Sequence, residues 1–185
     1  VLFRSTTVAS SAAMFTLYTY VAPMLDHLTH VDGATVTVML AVVGVGFSLG
    51  NAVSGKLADR SVHRTLLGFL VAVACLSAAF PLVAGSVWGA GAALMLWGAA
   101  TFGVCTPLQM RVMQAAHDAP ALASSVNIGA FNLGNAVGAA AGGAALSAGL
   151  DYAWIGPVGA LLALVSIGLV LWGARTTVSP QPAAA

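Results

Sequence analysis

The sequence is nearly empty of charge. Only 6% of its 185 residues are charged; glutamate is absent, and lysine occurs once, at Lys56. Soluble domains carry about 25% charged residues, so a soluble fold would have almost nothing polar to cover its surface. The hydrophobic share is 59%, which indicates a chain whose solvent is lipid. The few charges are scattered, and we expect no nucleic-acid partner.

Cysteine is also scarce, since Cys75 and Cys105 are the only two. Both lie in apolar runs, which argues against a disulfide framework and favours small buried hydrophobes. The segment from Asp26 to Asp32 holds two histidines and could resemble a metal cluster. Because no Cys or Glu supports it, a solvated loop is the better interpretation, and we predict no metal and no cofactor.

Six long apolar runs fill the chain. A spanning helix needs about 20 mostly apolar residues, and each run meets that length. We therefore predict an all-α membrane protein, with a six-helix half-domain over residues 1–175 and a disordered cytoplasmic tail over 176–185. The predicted spans are 5–24, 34–54, 64–84, 87–107, 121–146 and 153–173.

The basic residues all fall on one side of this arrangement. Six spans place both termini on the same side, whereas Asp26, Asp32 and Asp151 fall in the loops opposite. Basic residues favour the cytoplasmic side, so both termini are predicted to be cytoplasmic in a plasma (inner) membrane. The six are Arg4, Lys56, Arg60, Arg64, Arg111 and Arg175.

An internal repeat links the two halves of the chain. The segment 47–53, FSLGNAV, recurs 84 positions further on at 131–137 as FNLGNAV, and Pro23 and Pro107 stand at the same offset. Spans 1–3 thus correspond to spans 4–6. Since three is an odd number, the two copies cross the membrane in opposite directions, which predicts a 3+3 inverted repeat.

Polar residues inside the spans are the candidate pathway residues. A carboxamide in hydrocarbon is costly unless it is paired, and a hydroxyl-rich first span is typical of a helix enclosed by protein. Bonds between helices and contact with a substrate remain alternative roles for these side chains. The candidates are Thr16, Tyr20, Asn51, Asn127, Asn132 and Asn135.

Glycines at four-residue spacing mark the second and fifth spans. Without side chains, they let another helix backbone approach closely, which predicts tight helix packing. These glycines are Gly46, Gly50, Gly134, Gly138 and Gly142.

The stretch 46–50 also fits the G-x-S-x-G pattern of serine hydrolases. That pattern needs a strand-to-helix turn, and its serine needs a base within reach. Here Ser48 lies in a spanning run, and the histidines lie in loops or at span ends. An intramembrane enzyme therefore stays only as an alternative, as does a non-transporting scaffold or receptor.

Three segments carry a family resemblance. The segment 55–64, GKLADRSVHR, resembles the G-x-L-a-D-r-x-G-r-k signature of the major facilitator superfamily, with Val62 in place of the second glycine and His63 in place of a basic residue. Residues 124–135 and 18–23 look like helices 11 and 7 of its arabinose-efflux, drug:proton antiporter-like branch. The chain thus resembles helices 7 to 12 of such a transporter.

The resemblance implies a function and partners. It implies secondary active transport, with proton-coupled efflux of a small molecule such as a drug or sugar. The site would lie near the bilayer midplane, between this half and an N-terminal six-helix half. It also implies a cytoplasmic latch that breaks when the transporter switches. The latch residues are Gly55, Asp59, Arg60 and Arg64.

Overall fold

The computed structural model describes residues 2–114 and 120–176, and these are almost entirely helical. The predicted all-α fold is thereby confirmed. The predicted tail lies outside the described residues apart from Thr176, which ends the last helix. The α-helices are α1 (Leu2–Tyr18), α2 (Val21–Met24), α3 (Gly33–Ala58), α4 (Val62–Val83), α5 (Val87–Gln114), α6 (Pro120–Ser147) and α7 (Ile155–Thr176).

The first predicted span is broken. The α1 helix ends at Tyr18, and α2 continues after a bend of 44° into a π-helical turn over Leu25–Thr29. His30, at a φ of 54°, ends that turn in the left-handed region. The segment expected as a loop from Asp26 is thus partly helical, because the apolar side chains of Leu25 and Leu28 pack into the core.

The fourth span is longer than its sequence predicts. Pro107 was expected to end it, yet α5 continues to Gln114. Neighbouring helices and local adjustments re-satisfy the backbone groups that a proline frees inside a membrane helix. The extra two turns bring Gln109 and Arg111 onto a helix rather than into a loop.

Length and hydropathy single out α3, α4, α5 and the last helical stretch as membrane spans, and the bent α1–α2 pair as one further span. The α6 helix is 28 residues long, enough to cross about 30 Å of hydrocarbon. Its mean hydropathy is too low to mark it as a membrane span, because asparagines and glycines interrupt its apolar residues. Such a helix needs protein on several sides.

The helix packing repeats in two copies. The α3 helix packs along α5 as α6 packs along α1, and α4 lies on α5 as α7 lies on α1. The α4–α7 pair joins the two copies. Exchanging α1 with α5, α3 with α6 and α4 with α7 reproduces the same pairs, as an inverted repeat requires.

The repeated heptapeptide is oriented alike in both copies. Gly50 and Gly134 are buried, whereas Leu49 and Leu133, 84 positions apart, are 50% and 57% exposed. Each copy thus packs its glycine against its own partner helix and leaves an apolar face uncovered.

Candidate functional site

Hydroxyl groups and glycines join α1 to α6. A side chain at Gly138 would have its Cβ within 2.9 Å of the Ala12 Cα, so only glycine allows this approach. The close contact lets Thr16 Oγ1 donate to the Gly138 carbonyl at 3.1 Å, and the Tyr20 hydroxyl donate to that of Ala139 at 2.8 Å. Gly134 faces Val8 and Ser11, and Gly142 faces the Tyr20 ring.

The α3–α5 contact is built in the same way. A Cβ at Gly46 would lie 3.1 Å from the Ala99 nitrogen, and one at Gly50 would lie 2.6 Å from the Ala99 Cα. One turn further on, the Ser54 hydroxyl donates to the Gly103 carbonyl. These contacts fix α5 relative to α3 and so set one wall of the site.

A cavity of about 310 Å³ lies between α1, α4, α5 and α6. Its volume is at the lower end of the range for small-molecule sites. Most of its wall is apolar, and among residues 2–114 and 120–176 no Asp, Glu, Lys, Arg or His lines it. The lining residues are Thr7, Ser10, Ser11, Met14, Leu70, Val73, Thr101, Val104, Cys105, Leu108, Gln109, Asn127, Ile128 and Phe131.

A chain of hydrogen bonds crosses one part of this cavity. The Thr7 hydroxyl donates to Asn127 Oδ1 at 2.7 Å, and Asn127 Nδ2 donates to Gln109 Oε1 at 2.7 Å. Gln109 Nε2 then donates to the Ser124 hydroxyl at 3.1 Å. We name Thr7, Gln109, Ser124 and Asn127 the polar chain.

The polar chain satisfies groups that would otherwise be costly to bury. Asn127 is only 8% exposed, and an amide in an apolar setting is unfavourable unless it is paired. Hydroxyls and carboxamides can both donate and accept. The polar chain can therefore exchange one of its internal bonds for a bond to the hydroxyl or carbonyl of a ligand.

Of the six predicted pathway residues, only Asn127 lines the cavity. Thr16 and Tyr20 bind backbone carbonyls of α6 instead. Asn51 is exposed and accepts a hydrogen bond from Thr106 at 2.8 Å, and Asn132 is exposed on α6. Asn135 is half-buried, and its Oδ1 is buried with no hydrogen-bond partner among the described residues.

The sequence prediction missed the other cavity residues. Thr7, Ser10 and Ser11 stand at the i, i+3, i+4 spacing of one helix face, so this signal was present in the first span. Gln109 gave no such signal, because Pro107 pointed to a helix end two residues before it. A membrane helix that continues past proline was needed to place Gln109 beside Asn127.

The signature segment lies at the end of α3 and the start of α4. Gly55 is in the last turn of α3, where a Cβ would meet nothing within 4 Å. Asp59 follows α3 directly, and Asp59, Arg60 and Arg64 are all exposed. Among residues 2–114 and 120–176, none of these three forms an ion pair. The contacts of a latch would thus come from outside the described part of the chain.

Two other features of the sequence, the serine of the G-x-S-x-G pattern and the histidine-containing segment 26–32, are located by the structure. Ser48 is exposed on α3 and donates to the Gly44 carbonyl at 3.1 Å. His27 lies 3.3 Å from an Asp151 oxygen, so this pair joins the π-helical turn to the loop before α7. In the described part of the chain, no three metal-binding side chains come together. His117 lies outside the described residues.

An inverted helical repeat, a glycine-built interface and a mostly apolar cavity beside a chain of polar side chains are together typical of half of a helical membrane transporter. The chain is 55% identical over 170 residues to the inner membrane transport protein YdhP of Escherichia coli. This match covers 92% of this chain and 44% of YdhP. It is 33% identical over 165 residues to the MFS-type transporter YfhI of Bacillus subtilis, covering 89% of this chain and 41% of YfhI.

A third relative, named Probable sugar efflux transporter, is from Helicobacter pylori and is 30% identical over 154 residues, covering 83% of this chain and 39% of that protein. No protein-family model matches the chain. The chain spans less than half the length of each of these three relatives. On this similarity, the chain belongs to the major facilitator superfamily, as the signature segment predicted.

Proposed function

We propose that this chain is the C-terminal half of a secondary active transporter that exports a small molecule in exchange for protons. The cavity beside the polar chain carries the proposal, since it is a concave, mostly apolar site with a few convergent polar groups. In the complete protein, an N-terminal six-helix half would close the site from the other side, near the bilayer midplane.

The cavity chemistry favours an uncharged or weakly polar substrate. In the described part of the chain, its wall offers carboxamides, hydroxyls and apolar surface but no ionised group. A sugar or an apolar drug with a few hydroxyl or carbonyl groups fits this description, and one relative carries the name sugar efflux transporter. Any ionic contact to the substrate would then come from the other half.

The proton carrier would belong to the N-terminal half. Ionisable residues inside a membrane protein mark proton relays. In the described part of the chain, Asp26, Asp32, Asp59 and Asp151 are all exposed at helix ends or in loops. Asp118 lies outside that part. This half would contribute substrate contacts, and the other half would contribute the carboxylate that titrates.

The proposal also includes the orientation of the chain in the membrane and the class of protein to which it belongs. With the basic residues on the cytoplasmic side, both termini of this chain are cytoplasmic in an inner membrane.

The protein is a transporter rather than an intramembrane enzyme or a scaffold, because its relatives carry transporter names. Among the described residues, the Ser48 hydroxyl donates to the Gly44 carbonyl of its own helix and to no base that could activate it as a nucleophile.

The segment 55–64 acts as the latch. Asp59 at the end of α3 can interact with the positive N-terminal end of a helix in the other half. Asp59→Asn removes that charge and should reduce the transport rate several-fold while membrane insertion stays normal. Asp26→Asn, at the opposite end of the bundle, is the matched control. Equal rates for wild type and Asp59→Asn would reject the latch.

The test of the function uses the complete protein in everted membrane vesicles with an acidified lumen. Radiolabelled arabinose and an uncharged fluorescent drug are the two probes. We expect saturable accumulation of one probe that disappears when a protonophore collapses the pH gradient. Accumulation that survives the protonophore would contradict proton coupling, and vesicles that accumulate neither probe beyond empty controls would contradict efflux of this substrate class.

A further inference from the structure

A second cavity lies at the basic end of the bundle, outside the polar chain and its surroundings. It is a groove of about 530 Å³ between the end of α3 and the first three turns of α4. Its lining is basic or polar at Arg60, Ser61 and Arg64 and apolar at Leu57, Phe69 and Ala72. The groove thus combines two arginines near the α3–α4 turn with apolar side chains that continue along α4.

We propose that this groove binds one anionic phospholipid of the surrounding bilayer. Its phosphate would lie at Arg60 and Arg64, and part of an acyl chain would lie between Leu57 and Phe69. A guanidinium presents its donors in a planar fork that matches a phosphate. The apolar walls continue from that site along α4, which an acyl chain requires and a free phosphate does not.

The charges around the groove leave its two arginines available. Within residues 2–114 and 120–176, the one ion pair is His27–Asp151, at the other end of the bundle. Asp59 is the only acidic residue in the segment 55–64, which also carries Lys56, Arg60 and Arg64. The excess is positive, so an anion is the complementary occupant.

One residue that lines the groove is a glycine. Gly68 lines the groove on α4, and a Cβ built there would meet nothing within 4 Å. Thr65, one turn earlier, is 8% exposed and packs into the bundle. A side chain added at position 68 would therefore begin in open space on the groove-lining face of α4.

The experiment compares lipids on the complete protein, purified in detergent. Dioleoylphosphatidylglycerol is titrated, and the melting temperature and the bound lipid, by native mass spectrometry, are measured. Dioleoylphosphatidylcholine and inorganic phosphate are the comparison ligands. A ligand that binds only the folded state raises the melting temperature with its concentration. We expect a saturable rise with phosphatidylglycerol and none with the other two.

Two variants separate the charged and apolar ends of the groove. Arg60→Gln with Arg64→Gln should weaken phosphatidylglycerol binding by about 30-fold, because each basic residue near an anionic lipid is worth about 1 kcal/mol. Gly68→Leu should abolish binding while it keeps both arginines. Arg175→Gln, which removes one charge at the end of α7, should leave binding unchanged.

Each contrary result overturns the proposal. Equal stabilisation by phosphatidylcholine would mean a general lipid effect, and equal stabilisation by inorganic phosphate would mean an ion site without an acyl chain. If the arginine pair or Gly68→Leu leaves phosphatidylglycerol binding unchanged, the lipid lies elsewhere. If no lipid binds and Gly68→Leu lowers the melting temperature of the lipid-free protein, the other half covers the groove.

Discussion

Single polar groups on α1 hold its neighbours in place. The Ser10 hydroxyl lies 2.7 Å from that of Ser166 on α7, and the Ser11 hydroxyl donates to the Phe131 carbonyl on α6 at 3.0 Å. Hydrogen bonds between membrane helices average about 0.6 kcal/mol each. No one of them decides the fold, but together they fix how α1 is rotated, and so which hydroxyls reach the cavity.

Asp32 gives a prediction at the scale of one residue. The hydroxyl and backbone N–H of Thr35 both donate to Asp32, the N-cap of α3, and these bonds hold the pKa of its carboxyl below its usual 3.8. A lowered pKa in the folded state means that the stabilisation is complete above the unfolded-state pKa. It disappears as the pH falls through the lowered value.

Asp32→Ala should therefore lower the melting temperature at pH 7, and its difference from wild type should shrink towards pH 3. The measurement is thermal unfolding of the complete protein in detergent over that pH range. Asp26→Ala, which removes an exposed acid that caps no helix, is the control and should show no such pH-dependent difference. A deficit for Asp32→Ala that stays constant with pH would contradict the prediction.

At the scale of helices, glycine spacing determines which pairs approach closely. Gly50 lies buried against Ala99, whereas Gly44, on the same helix, has open space where a Cβ would be. A methyl group at position 50 needs α3 and α5 to separate, and overpacking of this kind typically costs about 1–3 kcal/mol. A methyl group at position 44 meets no neighbour.

Gly50→Ala should thus lower the melting temperature of the complete protein, and Gly44→Ala should leave it unchanged or raise it slightly, since alanine favours helix by up to about 1 kcal/mol. Thermal unfolding in one detergent compares the two. Equal melting temperatures would show that α3 and α5 are not in close contact at Gly50.

Much of the helix pattern could be predicted from the sequence, since apolar length alone located six helical regions. The break between α1 and α2 was predictable only in part: Pro23 has no N–H for the Thr19 carbonyl, which weakens the helix just before Tyr20. What holds Tyr20 there is Ala139, 119 positions away. The site was only partly predictable for the same reason, since Gln109 meets Asn127 through α5–α6 packing that no local pattern encodes.

At the scale of the whole molecule, the two copies of three helices form one bundle with a cavity inside it. The residues that repeat, such as Gly50 and Gly134, serve packing, whereas Asn127 and Gln109 are not equivalent in the repeat. Symmetry thus builds the scaffold, and residues that break it form the site. Such a division allows one fold to carry different substrates.

A disulfide cross-link tests the bundle. Ser10 and Ser166 are buried, with their hydroxyl oxygens 2.7 Å apart, which is close enough for cysteines at both positions to meet disulfide geometry. In a variant without Cys75 and Cys105, Ser10→Cys with Ser166→Cys should cross-link on oxidation. Ser10→Cys with Ser125→Cys should not. Peptide mass spectrometry detects the bond, and cross-linking of the second pair alone would refute the α1–α7 packing.

The central claim is that the polar chain contacts the transported molecule, and transport kinetics of three variants test it most directly. Asn127→Ala removes the middle of the polar chain, Thr16→Val removes a buried hydrogen-bonding hydroxyl outside the cavity, and Asn132→Ala alters an exposed residue of the same helix. The vesicle assay with arabinose and the uncharged drug gives KM and the maximal rate for each variant, normalised to protein in the membrane. The account predicts that KM rises about tenfold in Asn127→Ala alone, as expected for losing a hydrogen bond of about 1.4 kcal/mol. An unchanged KM in Asn127→Ala, or an equal rise in Thr16→Val, would contradict it.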